Sequence, residues 1–570
     1  MQQIKDALAS ALEKEGISSP FVPLELTNDL THGDYASSAA MHYAKELKTN
    51  PRSLAEKLIA SMGSIEGVSN IDIAGPGFIN FRLDSVYLHQ MLDEGRAKDD
   101  EWGGNAHLKN KKIMVEYTDP NPFKEFHIGH LMSNAIGESI ARALLFSGAE
   151  VKRANYQGDV GLHVAKAIYA YSEYEPSVEN EVVKWGLAYK MGNDLYENNE
   201  EAKYKIDAIN KKIYEHDPEV ISLYEAGRKV SLDYFETIYG KLGMEPRQNH
   251  GETSFFDYYF YESTCWEIGK RIVQKNTPTV FQNSEGAYVF RGEQVDSSLH
   301  TRVFITSKGL PTYEAKELGL LKLKDTKKEQ WNFDESITVT ANEQKEYFRV
   351  VLAAAKQINE LGQIAGHTKH VVHGMMRFAE GKMSSRKGNV ITGLFFLQEL
   401  FEVAKERAKQ SRAEDQESLA HQVALAAAKY QILRQASGKD IIFNRERALA
   451  VDGDSGPYLQ YTHARTSAIV EKAKESGVQS AFDSSAAASE LARLVYRFGE
   501  IVQRAQEELE PHHIANYLIA VASAFNRWYA NEHILDGTSA AAHKVALTDI
   551  TRLTLKNGLW LLGIPAPERM

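Results

Sequence analysis

Short apolar runs alternate with longer amphipathic stretches between residues 107 and 400. The apolar runs predict strands at 111–117, 150–155, 302–307, 336–341 and 370–375. The amphipathic stretches predict helices at about 127–147, 160–173, 314–322 and 343–361. Because this alternation is typical of parallel sheets, the pattern predicts an α/β domain at 107–405. In such a domain, ligands bind beyond the carboxyl ends of the strands.

The pattern changes between residues 175 and 300, where it becomes helical and rich in charges and tyrosines. We interpret this segment as an insertion into the sheet domain. From residue 406 onward the periodicity is almost wholly helical, with alanine-rich runs at 419–428, 486–494 and 540–547. Region 406–570 is therefore predicted to be an all-α helix bundle.

A small α+β domain is predicted for residues 1–106. Helical patterns at 1–16, at 36–47 and after Pro51 precede two alternating runs, at 71–74 and 78–81. A Gly-Pro-Gly breaker separates the two runs, so they predict a pair of short strands.

Length and cysteine usage indicate a large multidomain protein from a reducing compartment. With 570 residues the chain has room for about three or four domains. A single cysteine, Cys265, excludes an internal disulfide framework and a cysteine-based zinc site. No apolar run approaches the roughly 20 residues of a membrane helix, and residues 1–16 lack the apolar core of a signal peptide. We therefore expect a cytoplasmic protein without a membrane partner.

The formal net charge of −11 argues against indiscriminate nucleic-acid binding, which needs a basic surface. Residues 421–570 nevertheless contain 16 basic and 16 acidic residues, so the rest of the chain carries the excess negative charge. A neutral helical region can present a local basic face. Its composition permits RNA binding without requiring it.

The run 127–130, His-Ile-Gly-His, opens a predicted helix directly after a predicted strand. A helix N-terminus attracts anions because its first amide hydrogens are unpaired and its dipole is positive there. His127 and His130 are three residues apart, so they share a helix face and can donate to phosphate oxygens. Gly129 leaves space for a base or ribose. A chance pair of surface histidines is the alternative.

A cationic loop at 382–388, Lys-Met-Ser-Ser-Arg-Lys-Gly, follows some 250 residues later. Its Lys382, Arg386 and Lys387 lie beside a glycine, so the loop can close cations over a polyphosphate. Alone it would be a solvated charge cluster. Together, in this order, the two motifs predict the two halves of an ATP site.

These motifs resemble HIGH and KMSKS, the two signatures of class I aminoacyl-tRNA synthetases. The second signature departs from the pattern, since Ser385 replaces its inner lysine and Arg386 its final serine. This variant resembles the loop of arginyl-tRNA synthetases, in which a lysine just before HIGH replaces the missing one. Lys124 stands at that place.

The resemblance covers nearly the whole chain and is weakest over 175–300. It implies a Rossmann-like parallel-sheet catalytic domain with a connective insertion, an N-terminal domain that contacts the tRNA elbow, and a C-terminal anticodon-binding bundle. Residues implied in catalysis are Lys124, His127, His130, Lys382, Arg386 and Lys387. Residues implied in ATP binding are His127, Gly129, His130, Met383 and Ser384.

A pocket that binds arginine needs side chains that match its guanidinium group. A planar guanidinium needs carboxylates that accept paired N–H bonds and an aromatic face on which to stack. Glu116 and Glu317 are the candidate carboxylates, and Tyr313, four residues before Glu317 on one predicted helix, is the candidate aromatic wall. By resemblance, the pocket further includes Asn121, Tyr156, Asp159 and Gln344. The alternatives are a solvated Glu317, a core Tyr313 and a helix-capping Asp159.

Candidate tRNA contacts lie at both ends of the chain. Phe78 and Asn80 belong to a run that resembles the elbow-binding domain, where they would stack on and hydrogen-bond an unstacked base. Tyr458, Tyr461 and Arg465 belong to a run that resembles the start of the anticodon-binding bundle. The alternatives are a core role for Phe78, a turn-capping Asn80 and core tyrosines in the bundle.

The resemblance implies an arginine–tRNA ligase that uses ATP with Mg²⁺ and no zinc, and whose partners are L-arginine, ATP and tRNA(Arg). We expect a monomer. A cysteine enzyme of the same class would normally carry a zinc-binding cysteine set, and one cysteine excludes it. A class I lysine enzyme, which needs only point-charge recognition, and a non-catalytic RNA-binding relative remain as alternatives.

Lys124 provides a test of the compensated loop. If Ser385 cannot reach the phosphates, another cation must neutralise charge near the scissile bond. Lys124→Ala is then expected to lower the adenylation rate roughly a hundredfold or more, as loss of a positioned charge should. Ser385→Lys in the same protein is expected to recover part of the loss. An unchanged adenylation rate in Lys124→Ala would refute the compensation and favour Arg386 or Lys387.

Overall fold

The computed structural model describes residues 1–174, 176, 178–249, 252–378, 392–409, 411 and 413–570. Within these ranges, helices that are long enough to cross a membrane are not apolar enough to do so. The elements fall into an N-terminal α+β region, a central region built on a parallel sheet and a C-terminal helical region.

The N-terminal region packs helices against an antiparallel sheet with strand order β1-β2-β4-β3. Its elements are α1 (Gln2–Lys14), β1 (Leu24–Leu26), β2 (Tyr35–Ser37), α2 (Ala39–Tyr43), α3 (Pro51–Met62), β3 (Val68–Ala74), β4 (Phe78–Leu83) and α4 (Ser85–Ala97). The two predicted strands are confirmed as β3 and β4. The predicted helix at 36–47 is wrong at its start, because Tyr35 and Ser37 are buried as the alternate residues of a strand.

The central region contains the elements β5 (Lys112–Glu116), α5 (Ile128–Phe146), β6 (Glu150–Gln157), α6 (Leu162–Tyr174), α7 (Glu181–Asn198), α8 (Glu200–Tyr214), α9 (Pro218–Lys241), β7 (Arg247–Asn249), β8 (Glu252–Ser254), β9 (Tyr258–Tyr261), α10 (Glu262–Lys275), β10 (Gln282–Ser284), β11 (Ala287–Arg291), β12 (Thr301–Ile305), α11 (Tyr313–Lys327), β13 (Glu335–Ala341), α12 (Lys345–Lys356), α13 (Gly362–Gly366), β14 (Thr368–His373) and β15 (Met376–Phe378). Its main sheet has the order β14-β13-β5-β6-β9, and every neighbouring pair is parallel.

Strand β5 lies at the centre of this sheet, and its residues from Ile113 to Glu116 are all buried. Helices cover both faces, so the strand has a continuous apolar run rather than an alternating one. Helix α5 is buried at every position from His130 to Leu144 and packs against β5, β6 and β13. The predicted α/β fold with a parallel sheet is confirmed.

The strands of the central region depart from the predicted arrangement in two respects. Strand β9 is the fifth member of the parallel sheet, although it lies within the segment 175–300 that we predicted to be an insertion. The strand predicted at 302–307 appears as β12, but it pairs with β11 in a separate antiparallel sheet. An apolar run in the sequence predicts that a strand forms, but it does not predict which other strand it pairs with.

The C-terminal region is helical, as predicted, with one short strand. Its elements are α14 (Gly393–Ala408), α15 (Gln416–Leu433), β16 (Ile441–Phe443), α16 (Arg445–Ala448), α17 (Gly456–Glu475), α18 (Glu490–Tyr496), α19 (Phe498–Glu508), α20 (His512–Asn531) and α21 (Ala541–Leu561). Strand β16 pairs with β15 of the central region.

The N-terminal region docks on the C-terminal helices through buried arginines. On α18, Arg493 lies 2.5 Å from the Asp34 carboxylate, and both side chains are buried. Arg497, just before α19, donates to the Thr27 carbonyl over 2.7 Å. Because an unpaired charge inside a protein is costly, these contacts fix how the two ends of the chain meet.

Candidate active site

A cavity of about 570 Å³ lies at the carboxyl edge of the parallel sheet. All five strands supply a lining residue at or just past their ends: Glu116 from β5, Tyr156 from β6, Glu262 after β9, Thr340 from β13 and His373 from β14. This is where α/β sheets bind their ligands.

Two histidines stand at the N-terminus of α5 beside the cavity. The Nδ1 atom of His127 accepts from the Gly129 amide over 3.1 Å, and the Nδ1 atom of His130 accepts from the His127 amide over 3.2 Å. The rings stack with centroids 3.5 Å apart. A Cβ at Gly129 would lie 3.0 Å from the His127 ring, so glycine leaves room for the stack.

Both histidines are neutral near pH 7. Burial, with Lys124 and His373 nearby, lowers the pKa of His127 to about 4. Burial and then the His127 ring lower the pKa of His130. Because each Nδ1 already accepts a hydrogen bond, each neutral ring carries its proton on Nε2. The pair therefore offers two N–H donors without adding positive charge.

The loop between β5 and α5 is held in an unfavourable backbone conformation. Thr118, Asp119 and Phe123 have φ angles of 80°, 45° and 66°, in the region that side chains normally avoid. The Thr118 amide donates to Ser133 Oγ over 2.9 Å, and the Tyr156 amide donates to Asp119 over 2.8 Å. Such strain persists only where the surroundings enforce it, and it is common at active sites.

Carboxylates dominate one wall of the cavity. Glu116 lies 3.0 Å from the ammonium of Lys324 and accepts from Thr338 Oγ1 over 3.2 Å. Burial, reinforced by Glu116, raises the pKa of Glu317 to about 8 and also raises the pKa of Asp119. Glu116, Glu317 and Asp119 thus form an acidic wall in which, among the described residues, only Glu116 has an ammonium within 4 Å, and the wall favours a cationic ligand.

The mouth of the cavity is aromatic. Tyr313 begins α11 and is 61% exposed. The ammonium of Lys316 lies 5.2 Å from its ring centroid and pairs with Glu262 over 2.6 Å. Tyr347 donates to the Tyr313 carbonyl over 3.0 Å. Tyr313 is therefore a fixed aromatic face at the entrance and not a core residue.

Most predicted pocket residues do line this cavity. They are Glu116, Asn121, His127, Gly129, His130, Tyr156, Tyr313, Glu317 and Gln344. Glu317 is buried, which contradicts the solvated alternative. The Tyr156 hydroxyl is buried without a hydrogen-bond partner among the described residues.

Asp159 is not among the residues that line the cavity, and its contact with arginine stays a prediction. Its carboxylate accepts from Arg228 Nε over 2.8 Å, from the Ser263 amide over 2.8 Å and from Ser263 Oγ over 2.7 Å. These donors from α9 and α10 occupy both oxygens. Asp159 therefore holds the insertion against the sheet edge.

The predicted cations lie outside the observed lining. The ammonium of Lys124 lies 4.6 Å from the ring centroid of Tyr189 on α7, and burial lowers the pKa of Lys124. A direct contact of Lys124 with ATP stays a prediction. The loop residues predicted for catalysis and ATP binding lie outside the described residues; they are Lys382, Met383, Ser384, Arg386 and Lys387.

The predicted tRNA contacts differ in accessibility. Phe78 is 40% exposed, so it is not a core residue, whereas Asn80 is buried in β4 between β2 and β3. Asn80 is thus poorly placed to reach a base.

On α17, the Arg465 guanidinium lies 4.7 Å from the Tyr461 ring and 5.3 Å from the Tyr529 ring, which projects from α20. Tyr461 and Tyr529 are each 39% exposed, and together they form a cation-and-aromatic surface.

The Tyr458 side chain is more constrained, since it is half-buried and its hydroxyl accepts from Asn526 over 3.0 Å. This internal contact fits the alternative of a bundle tyrosine.

Sequence reasoning missed Asp119, Glu262, Lys324, Tyr347 and His373 as site residues. The sequence could have placed Lys324 near the site, because it lies two helical turns after Glu317 on one face of α11. Asp119 lies between the predicted pocket residues Glu116 and Asn121, but its orientation depends on a strained turn. Glu262 follows a strand that was not predicted.

Substitutions of His130 can distinguish the role of its Nδ1 acceptor from that of its Nε2 donor. His130→Ala and His130→Asn are expected to lower turnover about a hundredfold, since loss of one such donor costs on the order of 3 kcal/mol. Asn keeps an acceptor near Nδ1 for the helix end and loses the Nε2 donor. His130→Gln, which puts an amide near Nε2, is expected to retain more activity. Steady-state kinetics with arginine varied would contradict this role if turnover were normal and the Michaelis constant raised.

Comparisons with known proteins agree along the chain. A family model described as "Arginyl tRNA synthetase N terminal domain" matches residues 2–83, and "DALR anticodon binding domain" matches residues 459–570. The model for "tRNA synthetases class I (R), catalytic domain" matches residues 90–445, which is more than half of the chain.

Individual relatives are similar over nearly full length. An arginine–tRNA ligase of Clostridium perfringens is 29% identical and is aligned over 94% of both chains. One of Borrelia hermsii is 28% identical over 93% of this chain and 91% of its own. The solved structure of the Thermus thermophilus arginyl-tRNA synthetase has the same fold, with a TM-score of 0.81, 24% identity and complete coverage of both chains. The chain therefore belongs to the family of class I tRNA synthetases of the arginine (R) type.

Proposed function

We propose that this protein is an arginine–tRNA ligase, which activates L-arginine with ATP and transfers it to the terminal adenosine of tRNA(Arg). The observation that carries the proposal is the acidic wall of Glu116, Glu317 and Asp119, where Lys324 pairs with Glu116 and the other two carboxylates face the cavity beside an aromatic side chain. A planar cation with several N–H donors satisfies such a wall. The family model and the relatives' names support the same substrate.

In the first step, the arginine carboxylate attacks the α-phosphate of ATP and pyrophosphate leaves. The Nε2–H donors of His127 and His130, together with the N-terminus of α5, would stabilise the charge that develops on the phosphate oxygens. In the second step, a ribose hydroxyl of the tRNA takes the arginyl group and releases AMP. This chemistry needs no protein nucleophile, so the pocket residues act by positioning.

Mg²⁺ is proposed to arrive with ATP. Among the described residues, no three or more Asp, Glu, His or Cys side chains lie together in a way that could hold a metal ion. Because Mg²⁺ binds through substrate phosphates and keeps several waters, ATP and water would supply most of its ligands. Its role would be to neutralise phosphate charge.

For tRNA, we propose that the exposed Phe78 and the surface of Tyr461, Arg465 and Tyr529 are contacts, since each presents a stacking face or a cation. Monomeric state and a cytoplasmic location stay predictions.

The pocket argues against the lysine alternative. Glu116 already forms an ion pair with the ammonium of Lys324, a lysine of the protein itself. Glu317 and Asp119 remain for the substrate and can accept the several N–H bonds of a guanidinium. The non-catalytic alternative is opposed by the two histidine donors, which the fold keeps beside the cavity.

ATP–pyrophosphate exchange tests the function directly. L-arginine, with tRNA(Arg) present, is expected to drive exchange, and arginylation of the tRNA is expected to follow. Omitting tRNA tests the family's habit of requiring it for the first step, and exchange is expected to fall. Exchange driven by L-lysine or another amino acid in place of arginine would sink the assignment.

A further inference from the structure

Lys324 is an internal cation of the acidic wall. Its side chain is fully buried, and its ammonium lies 3.0 Å from Glu116 and 3.4 Å from Thr338 Oγ1. Burial alone would lower the pKa of Lys324, but Glu116 and Glu317 raise it, so the ammonium stays charged. Glu116 thus has a partner before any substrate binds.

The other two carboxylates of the wall lack such a partner. Within the described ranges, neither Asp119 nor Glu317 has a cationic side chain within 4 Å. The nearby Lys316 is taken by Glu262 at 2.6 Å. The titratable groups that interact with Glu317 come from every element around it: Glu116 on β5, Asp119 in the loop after it, Tyr156 on β6, Glu262 and Cys265 on α10, Lys324 on α11 and Tyr347 on α12.

Asp119 and Glu317 line the same cavity without a cation beside them, so they repel each other when both are ionised. A proton on one of them relieves the repulsion in the empty pocket, and a guanidinium that enters the pocket makes this proton unnecessary. The bound guanidinium accepts no proton, so the displaced proton goes to solvent.

We propose that binding of the substrate's cationic head expels about one proton from the pair Asp119 and Glu317, and that Lys324 is the positioning residue that limits the release to this pair. The inference rests on the proposed function, since arginine provides the cation. It adds a pH-dependent element to substrate recognition.

The direction of the pH dependence follows from the raised pKa values. Burial and Glu116 raise the pKa of Glu317 to about 8 and also raise the pKa of Asp119, so below pH 8 the empty pocket holds a proton on this pair. Arginine then competes with a proton, so its affinity is expected to rise with pH, at most about tenfold per pH unit between pH 6 and 8. Above the pKa of Glu317 the affinity levels off.

Isothermal titration calorimetry of the full-length protein with L-arginine tests the coupling. Titrations at pH 7 in phosphate and in Tris, which differ in ionisation enthalpy, are expected to report release of between about half and one proton per arginine bound. Glu317→Gln removes one titrating carboxyl, and its release is expected to fall by more than half. Equal heats in both buffers for the unmodified protein would overturn the coupling.

The role of Lys324 is tested by two substitutions. Lys324→Met leaves Glu116 without its cation, so the empty pocket should hold an additional proton. Its proton release is expected to exceed one, and its Michaelis constant for arginine at pH 7 to rise more than tenfold, with turnover changed less. Lys324→Arg keeps the charge beside Glu116, so its proton release should stay near that of the unmodified protein even where the larger buried side chain lowers activity.

Two outcomes would count against the inference without touching the proposed function. If Lys324→Met releases as many protons per arginine bound as the unmodified protein and has the same pH profile, then Lys324 does not limit the release. The unmodified protein needs no substitution, so its calorimetry decides the coupling even if Lys324→Met fails to fold. Arginine-driven pyrophosphate exchange without proton release would refute only this inference, whereas absence of that exchange would refute the proposed function.

Discussion

Glu138 lies in the middle of α5, inside the molecule, and its carboxylate holds three partners. Arg142 donates to it over 2.8 Å, Arg153 over 2.7 Å and the Tyr117 hydroxyl over 2.5 Å. Burial would raise the pKa of Glu138, but the two arginines lower it well below the usual range, so the carboxylate stays charged. A buried ion of this kind is tolerated only when it is fully paired, which makes its geometry strict.

The site depends on this ion because its partners belong to different elements. Tyr117 follows Glu116 of the acidic wall, and Arg153 lies on β6 before Tyr156. The Arg142 guanidinium also donates to the Trp560 carbonyl near the end of α21, over 2.9 Å. Glu138 thus ties the helix that carries the histidine donors to two strands of the sheet and to the last helix of the chain.

Local patterns in the sequence identify those parts of the site whose chemistry lies within a few residues. The pair His127 and His130 could be assigned in this way, because a helix start and a three-residue spacing are visible in one short run. Tyr313 and Glu317 followed from the same logic. The fold class followed from alternating periodicity.

Contacts between distant segments could not be predicted in this way. Asp159 has the right chemistry for a pocket residue, but Arg228 and Ser263, far along the chain, take its oxygens. Strand β9 is four residues long beside charged helices, so its place in the sheet depends on pairing with β6 and not on its own pattern. By the two-residue period of a strand, Asn80 should share the face of Phe78, but Phe78 is exposed and Asn80 is buried, which only the packing around β4 determines.

The docking of Arg493 on Asp34 limits how the protein can be recombined. An N-terminal region taken from a relative would bring its own residue to the position of Asp34, and the buried guanidinium of the recipient would then need a matching carboxylate. The two ends of the chain are therefore expected to be inherited as a unit, although more than 400 residues separate them. A chimera that exchanges both ends together preserves this charge pair, whereas one that exchanges a single end breaks it.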